Sequence, residues 1–159
     1  MIKRLETIWQ QLNQPKELPQ EERQLLHLAT TNLQNAYAPY SKFQVGAAVH
    51  LENNQMIGGS NQENAAYPMC RCAEQVALSA AASQFPGVPI TKIAVTVYSE
   101  QQTIDTPAMP CGSCRQMLAE TEYRQKKSIK IIVRGTVGPI YIFNSVKEIL
   151  PFSFNGSFL

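Results

Sequence analysis

The four cysteines of the chain fall in two short stretches, and these stretches hold the residues best suited to chemistry. Cys70 and Cys72 stand in Cys-Arg-Cys-Ala-Glu, and Cys111 and Cys114 stand in Pro-Cys-Gly-Ser-Cys. Thiolates at a C-x-x-C spacing, with another thiolate and a carboxylate close by, suit a tetrahedral zinc site that keeps one position open. We therefore expect Cys72, Cys111 and Cys114 to bind Zn²⁺.

Glu74 follows Cys72 by two residues, so it lies close to the predicted metal without being needed as a ligand. Zinc bound in this way can lower the pKa of a bound water from 15.7 to about 7. A neighbouring carboxylate can then move protons between that water and a substrate. The residues therefore predict hydrolytic deamination of a heteroaromatic amine, with Glu74 as the catalytic residue.

A closed structural site is the main alternative at this stage. All four sulfurs could bind one zinc ion, which would make the protein a non-catalytic binding or scaffold module. Such a site would leave Glu74 without a role, so the catalytic interpretation is favoured. Cys70 is interpreted as a small packing residue.

The cysteine-bearing segments must be positioned by the elements around them. In the predicted structure Cys72 and Cys111 each begin a helix, where free N–H groups and the helix dipole favour a thiolate. Apolar periodicity predicts helices over residues 20–37, 72–83 and 112–123, and strands over 43–50, 56–57, 90–99, 129–133 and 140–143. This order predicts a layered α/β domain with a mixed sheet and both cysteine-bearing helices on one side.

The length predicts one domain over residues 1–159. Apolar residues at helical spacing, ended by Pro15 and Pro19, predict an extra amphipathic N-terminal helix over residues 1–18 packed on it. Fourteen basic residues against twelve acidic ones leave a net charge of +2, which does not favour a nucleic-acid partner. No secretory signal or membrane-spanning stretch is evident. We therefore expect a cytoplasmic protein with reduced thiols and no membrane partner.

A basic run follows the third predicted helix. It contains Arg124, Lys126, Lys127, Lys130 and Arg134. We interpret it as a solvated helix end and turn.

Several sequence blocks carry a resemblance to a known family. They cover residues 39–48, 61–67, 72–74, 110–116 and 150–154, in that order. On these blocks the chain resembles the cytidine deaminase family, in its small, three-cysteine, homotetrameric form. The resemblance implies a three-layer α/β/α fold with a mixed five-stranded sheet. It also implies zinc-dependent deamination of cytidine, and of deoxycytidine, in pyrimidine salvage.

The resemblance also implies roles for individual residues. Phe43 would contact the pyrimidine ring, while Asn61 and Glu63 would hydrogen-bond the ribose hydroxyls of a nucleoside substrate. The backbone at Ala73 would hold the pyrimidine carbonyl. Phe154 would reach into the site of a neighbouring subunit, so a homotetramer with shared active sites is expected.

The chain departs from the family pattern in two places. Gln75 stands where three-cysteine members usually have an arginine that offsets the thiolate charge, which leaves Arg71 and Arg115 as candidates for that role. The stretch 104–109 is longer than usual and is expected to reshape the rim of the pocket. Substrates other than a free nucleoside, such as a cytosine-containing antibiotic or a flipped base in nucleic acid, fit the same chemistry.

Overall fold

The computed structural model describes all 159 residues and contains one mixed sheet of six strands in the order β1-β6-β5-β4-β2-β3. The pair β4–β5 is parallel, and every other neighbouring pair is antiparallel. The elements in chain order are β1 (Gln10–Leu12), α1 (Gln20–Asn32), β2 (Phe43–Leu51), β3 (Met56–Ser60), α2 (Ala73–Gln84), β4 (Ile90–Ser99), α3 (Gly112–Gln125), β5 (Lys130–Arg134) and β6 (Ile140–Phe143).

Helices cover both faces of the sheet, and the alternation of strand residues explains why. Val49, Ile93 and Ile131 occupy matching positions on β2, β4 and β5 and are fully buried in the core formed with α2 and α3. Their chain neighbours, such as Ile132, are equally buried in a second core against α1. Central strands that are apolar on both faces require helices on both sides. The three layers are thus confirmed, and α2 and α3 pack into the same core.

The prediction of five strands and of an N-terminal helix is wrong. Residues 1–9 have no regular secondary structure, and Gln10–Leu12 instead form a sixth strand. This strand pairs with β6, whose outer edge would otherwise present unpaired N–H and C=O groups. Ile2 and Ile8, which suggested a helix, are 100% and 72% exposed, whereas Leu12 of the new strand packs against the core.

The first helix is shorter than the predicted span of residues 20–37. It ends at Asn32 and continues as a 3-10 turn over Leu33–Asn35.

None of the helices combines the length and the apolar character that crossing a bilayer demands.

Candidate active site

Two helix starts bring three cysteine sulfurs together. Cys72 immediately precedes α2 and Cys111 immediately precedes α3, while Cys114 lies in the first turn of α3. The Sγ atoms of Cys72 and Cys111 are 3.8 Å apart, and those of Cys111 and Cys114 are 3.5 Å apart. All three sulfurs lie within 4.8 Å of one another. This is the set of residues that the sequence pattern predicted as metal ligands.

The spacing of the sulfurs fits zinc. Sulfurs held about 2.3 Å from a tetrahedral Zn²⁺ lie about 3.8 Å apart. The two measured sulfur distances are close to that value. A hydrogen bond from the Cys114 thiol lowers the pKa of Cys72 to about 7, so a thiolate is available near neutral pH. The spacing of the three sulfurs therefore suits Zn²⁺, and at least one of the thiols ionises near neutral pH.

Cys70 lies outside the three-sulfur cluster. Its sulfur accepts a hydrogen bond from the backbone N–H of Asn64 at 3.2 Å and approaches the Asn64 carbonyl at 3.6 Å. A closed four-cysteine zinc site is therefore not the arrangement of this protein. Cys70 is also only half-buried, so it is a loop-anchoring thiol rather than a purely apolar packing residue.

Glu74 lies in the first turn of α2 with only 4% of its surface exposed. This burial raises the pKa of its carboxyl, because removal from water disfavours the charged form. The position of the turn is set by Gly59 of β3, where a Cβ atom would lie 2.6 Å from the backbone of Ala73 and of Ala77. The absence of a side chain at Gly59 thus lets α2 approach the sheet and places Glu74 beside the cysteines.

A cavity of about 290 Å³ opens next to Glu74 and the cysteines. Its volume is at the small end of the range for ligand pockets, which suits a small molecule. The predicted site residues among its lining are Phe43, Asn61, Glu63, Cys72, Glu74 and Cys111. The structure therefore brings the predicted catalytic residue, two predicted ligands and three predicted substrate contacts to one cavity.

Two predicted substrate contacts are not part of this lining. Ala73 is fully buried beneath the cavity, and its predicted contact involves only the backbone. Phe154 is 57% exposed, stacks on Phe158 with a centroid distance of 5.6 Å, and accepts a hydrogen bond at its carbonyl from Gln116. The role of Phe154 in a neighbouring subunit stays a prediction.

Asn61 bridges the start of β2. Its Oδ1 accepts a hydrogen bond from the Val45 N–H at 2.8 Å, and its Nδ2 donates to the Phe43 carbonyl at 2.9 Å. A side-chain amide has two donors and two acceptor lone pairs, so each end keeps one further position for a ligand. The resemblance implied a substrate contact for Asn61, and the structure adds this bridge, which holds the backbone of Phe43 in place.

Glu63 anchors the loop that leads into β2. One carboxylate oxygen accepts hydrogen bonds from the backbone N–H groups of Tyr40 and Ser41 at 2.9 and 3.3 Å. Partial burial raises the pKa of Glu63, but hydrogen bonds from Ser41 and Tyr40 outweigh it and lower the pKa below its usual value. Glu63 also lines the cavity, so its charged carboxylate is an acceptor at the edge of the site.

An apolar wall completes the cavity, and sequence reasoning missed most of it. Val95 and Val97 of β4 line the cavity together with Ala108 and Met109, which precede the Pro-Cys segment. The stretch 104–109 was expected to reshape the pocket rim, and two of its residues, Ala108 and Met109, line the cavity. The apolar residues at the end of β4 could have been found from the sequence, because that strand leads directly into this stretch.

The residues considered for charge balance differ in how firmly they are held. Gln75 donates a hydrogen bond from Nε2 to the Ser113 hydroxyl at 2.9 Å, which ties the first turns of α2 and α3 together. Arg115 is partly buried and donates to the Pro110 carbonyl at 2.7 Å, directly before Cys111. Arg71 is exposed and donates to backbone carbonyls of its own loop. Arg115 is thus the cation fixed at the cysteine turn.

Comparison with known proteins agrees with this geometry. Residues 19–129 match the family model described as the cytidine and deoxycytidylate deaminase zinc-binding region. The chain belongs to the cytidine deaminase family. The family match and the three-sulfur cluster together identify Zn²⁺ as the cofactor.

Individual members of the family are similar over most of the chain. A cytidine deaminase of Halalkalibacterium halodurans is 35% identical over 134 residues, which cover 84% of this chain and 94% of that protein. A cytidine deaminase of Sporosarcina psychrophila is 45% identical over 87 residues, which cover 55% and 60% respectively. The crystal structure of cytidine deaminase from Burkholderia pseudomallei superposes with a TM-score of 0.71 at 34% identity, over 82% of this chain and 97% of that one.

Proposed function

We propose that this protein converts cytidine and deoxycytidine to uridine and deoxyuridine with release of ammonia. The observation that carries the proposal is the buried Glu74 carboxyl beside three clustered cysteine sulfurs, at the bottom of a small cavity. The lining of the same cavity offers an amide and a carboxylate suited to the hydroxyls of a sugar. The related enzymes are named cytidine deaminases, which supports cytidine as a substrate.

Cys72, Cys111 and Cys114 would hold the metal. Bound Zn²⁺ supplies Lewis acidity that activates water at neutral pH. Glu74 would accept a proton from the attacking water and deliver it to the pyrimidine ring nitrogen, and then assist protonation of the departing amine. The raised pKa of Glu74 suits this exchange, because a carboxyl that both accepts and donates works best when its pKa lies nearer the working pH. Water and cytidine are consumed, and uridine and ammonia are formed.

The remaining predicted site residues would orient the nucleoside. Phe43 would pack against the pyrimidine ring, and the backbone at Ala73 would hold its carbonyl. The free donor and acceptor of Asn61 and the carboxylate of Glu63 would hydrogen-bond the ribose hydroxyls. A free base would leave these polar groups unpaired, which should reduce its turnover strongly relative to the nucleoside.

The proposal extends to assembly and location. We propose that residues 1–159 act as one deaminase domain and that four copies assemble into a homotetramer. The exposed ring of Phe154 would then complete the active site of a neighbouring copy. A cytoplasmic location fits reduced cysteine ligands.

An assay over five cytosine compounds tests the substrate. We expect cytidine and deoxycytidine to be deaminated, and cytosine, CMP and a cytosine-bearing oligonucleotide to be left unchanged. Loss of cytidine absorbance in the near ultraviolet provides the measurement. Turnover of the oligonucleotide, or of none of the five compounds, would contradict the proposal.

A variant of Glu74 tests the mechanism separately from the metal. Glu74→Gln keeps the size of the side chain and removes its ability to carry a proton. We expect it to retain about one zinc per chain and to lose about 10²- to 10⁴-fold in kcat. Zinc content is measured by atomic absorption on the same preparation. Normal turnover by this variant would show that another group moves the protons.

A further inference from the structure

A second cavity lies at the far end of α3, away from the cysteines at its start. It has a volume of about 540 Å³. We call it the basic cavity and define it by its charged lining residues, which are Glu122, Arg124, Lys126, Lys127 and Lys147. Four cationic side chains against one carboxylate leave a net formal charge of +3 in this lining. The whole chain has a net charge of only +2, so the positive charge is concentrated here.

Most of these cations have no protein partner. Lys127 forms an ion pair with Glu52 at 2.5 Å, but both side chains are about half exposed and such pairs contribute little. Arg124, Lys126 and Lys147 take part in none of the ion pairs of the protein. Their charges are therefore available to a ligand.

The one carboxylate in the basic cavity is already occupied. One oxygen of Glu122 accepts hydrogen bonds from the backbone N–H groups of Ile129 and Val146 at 2.8 and 3.0 Å. The other accepts from the Ser145 hydroxyl at 2.8 Å. Glu122 is only 8% exposed, so it serves to join the segment after α3 to the Val146 turn. It does not neutralise the cations around the opening.

The position of the cations is not explained by helix stability alone. Arg124 and Lys126 stand at the C-terminus of α3, where positive charge interacts favourably with the helix dipole. Lys147 belongs to a different segment, the 3-10 turn Val146–Glu148. The positive charge of Lys147 repels the cations at this end of α3, and Lys147 forms no ion pair in return. Convergence of cations from separate segments on one concavity is the arrangement expected for an anion site.

We propose that the basic cavity binds a small anion carrying two or more phosphate groups. Several cations around one concavity suit several phosphates better than a single carboxylate or phosphate. The aromatic ring of Tyr123 also lines the cavity and is 46% exposed, so it offers a surface on which a nucleotide base can stack. The ligand chemistry is thus a phosphate chain, either free or as part of a nucleotide.

The C-terminal segment forms one wall of this cavity. Ser153 and Asn155 are among its lining residues, on either side of Phe154. The segment lies against the ring of Tyr123, since a Cβ on Gly156 would stand 2.9 Å from that ring. A bound anion therefore contacts the segment that carries Phe154 and holds it in place. Binding of the anion does not depend on the deaminase reaction.

Calorimetric titration of the full-length protein with inorganic tripolyphosphate tests the proposal. At about 0.15 M ionic strength long-range attraction is largely screened, so binding there reports a local site. We expect saturable binding that weakens about tenfold or more in the triple variant Arg124→Gln, Lys126→Gln and Lys147→Gln. These side chains are exposed, so the variant should keep its fold and its melting temperature without ligand.

A matched control removes the same charge elsewhere. Lys3→Gln, Lys16→Gln and Arg23→Gln neutralise two lysines and one arginine that are exposed and form no ion pair. We expect this variant to bind tripolyphosphate as the native protein does. Equal weakening in both variants, or no saturable binding by the native protein, would overturn the proposal.

Two further measurements identify the ligand and its effect. ATP is titrated in parallel with tripolyphosphate; equal affinity assigns binding to the phosphate chain, and tighter ATP binding adds a base contact at Tyr123. Hydrogen exchange at residues 153–156 should slow when tripolyphosphate binds. Unchanged exchange there despite binding would place the anion outside the basic cavity. None of these readouts requires turnover, so failure of the deaminase proposal would leave them intact.

Discussion

Replacement of Asn61 by alanine tests the bridge at the start of β2. The native side chain is 9% exposed and makes two hydrogen bonds, one to the Val45 N–H at 2.8 Å and one to the Phe43 carbonyl at 2.9 Å. Each bond contributes about 0.5–1.5 kcal/mol, and a partner left unpaired in the interior costs about 1–3 kcal/mol. Because both partners are half-buried, water can satisfy them in part. We therefore expect a loss of about 2–3 kcal/mol in the free energy of unfolding.

Urea denaturation of the Asn61→Ala variant measures this loss directly. Thermal unfolding gives a second measurement. For a chain of this size a loss of about 1 kcal/mol lowers the melting temperature by about 2–4 °C, so the variant should melt about 4–12 °C lower. Asn144→Ala serves as the control, since Asn144 is exposed and its side chain makes no hydrogen bond; its effect should stay within about 0.5 kcal/mol. If Asn61→Ala were as mild as the control, the bridge would not stabilise the fold.

Catalysis gives a second readout for the same variant. Loss of the bridge frees Phe43 and removes the spare donor and acceptor facing the cavity. We therefore expect KM for cytidine to rise. An unchanged KM in a folded Asn61→Ala protein would show that Asn61 does not contact the nucleoside.

Three further predictions concern the metal, the packing of α2 and the response to pH. Cys70→Ser should retain about one zinc per chain by atomic absorption, and loss of zinc would revive the four-cysteine site. Gly59→Ala should destabilise the fold by about 1–3 kcal/mol in urea, because its Cβ would clash with the α2 backbone at 2.6 Å, whereas Gly112→Ala meets nothing within 4 Å and should not. A hydrogen bond from Lys92 lowers the pKa of Glu21, so its stabilisation is present above pH 4.5 and is lost as the pH falls through the lower folded pKa. Glu21→Gln should therefore flatten the decline in unfolding free energy below pH 4.5. The effect is small because the Glu21 side chain is 41% exposed. An unchanged decline in the variant would contradict the assignment.

Much of the fold follows from local patterns. The spans of β4 and β6 match their predicted ranges, since runs of apolar and β-branched residues bounded by turn residues leave little choice of structure. The N-terminal segment shows where such patterns stop. Ile2, Leu5 and Ile8 recur at helical spacing, but a helix also needs a surface on which to bury its apolar face. The open edge of β6 competed for this segment and paired with Gln10–Leu12 instead.

Local patterns in the sequence predicted which residues the candidate site would contain. Cys72, Glu74, Cys111 and Cys114 could be selected because ligand spacing and carboxylate placement are local properties of the chain, and local properties are visible without a fold. Other features become visible only in the tertiary structure. Three contacts join residues that are distant in sequence. Asn61 bridges to Val45 and Phe43, α2 packs closely on Gly59, and Lys147 lies near the end of α3. Such contacts depend on how the layers pack, and composition and periodicity carry no record of that packing.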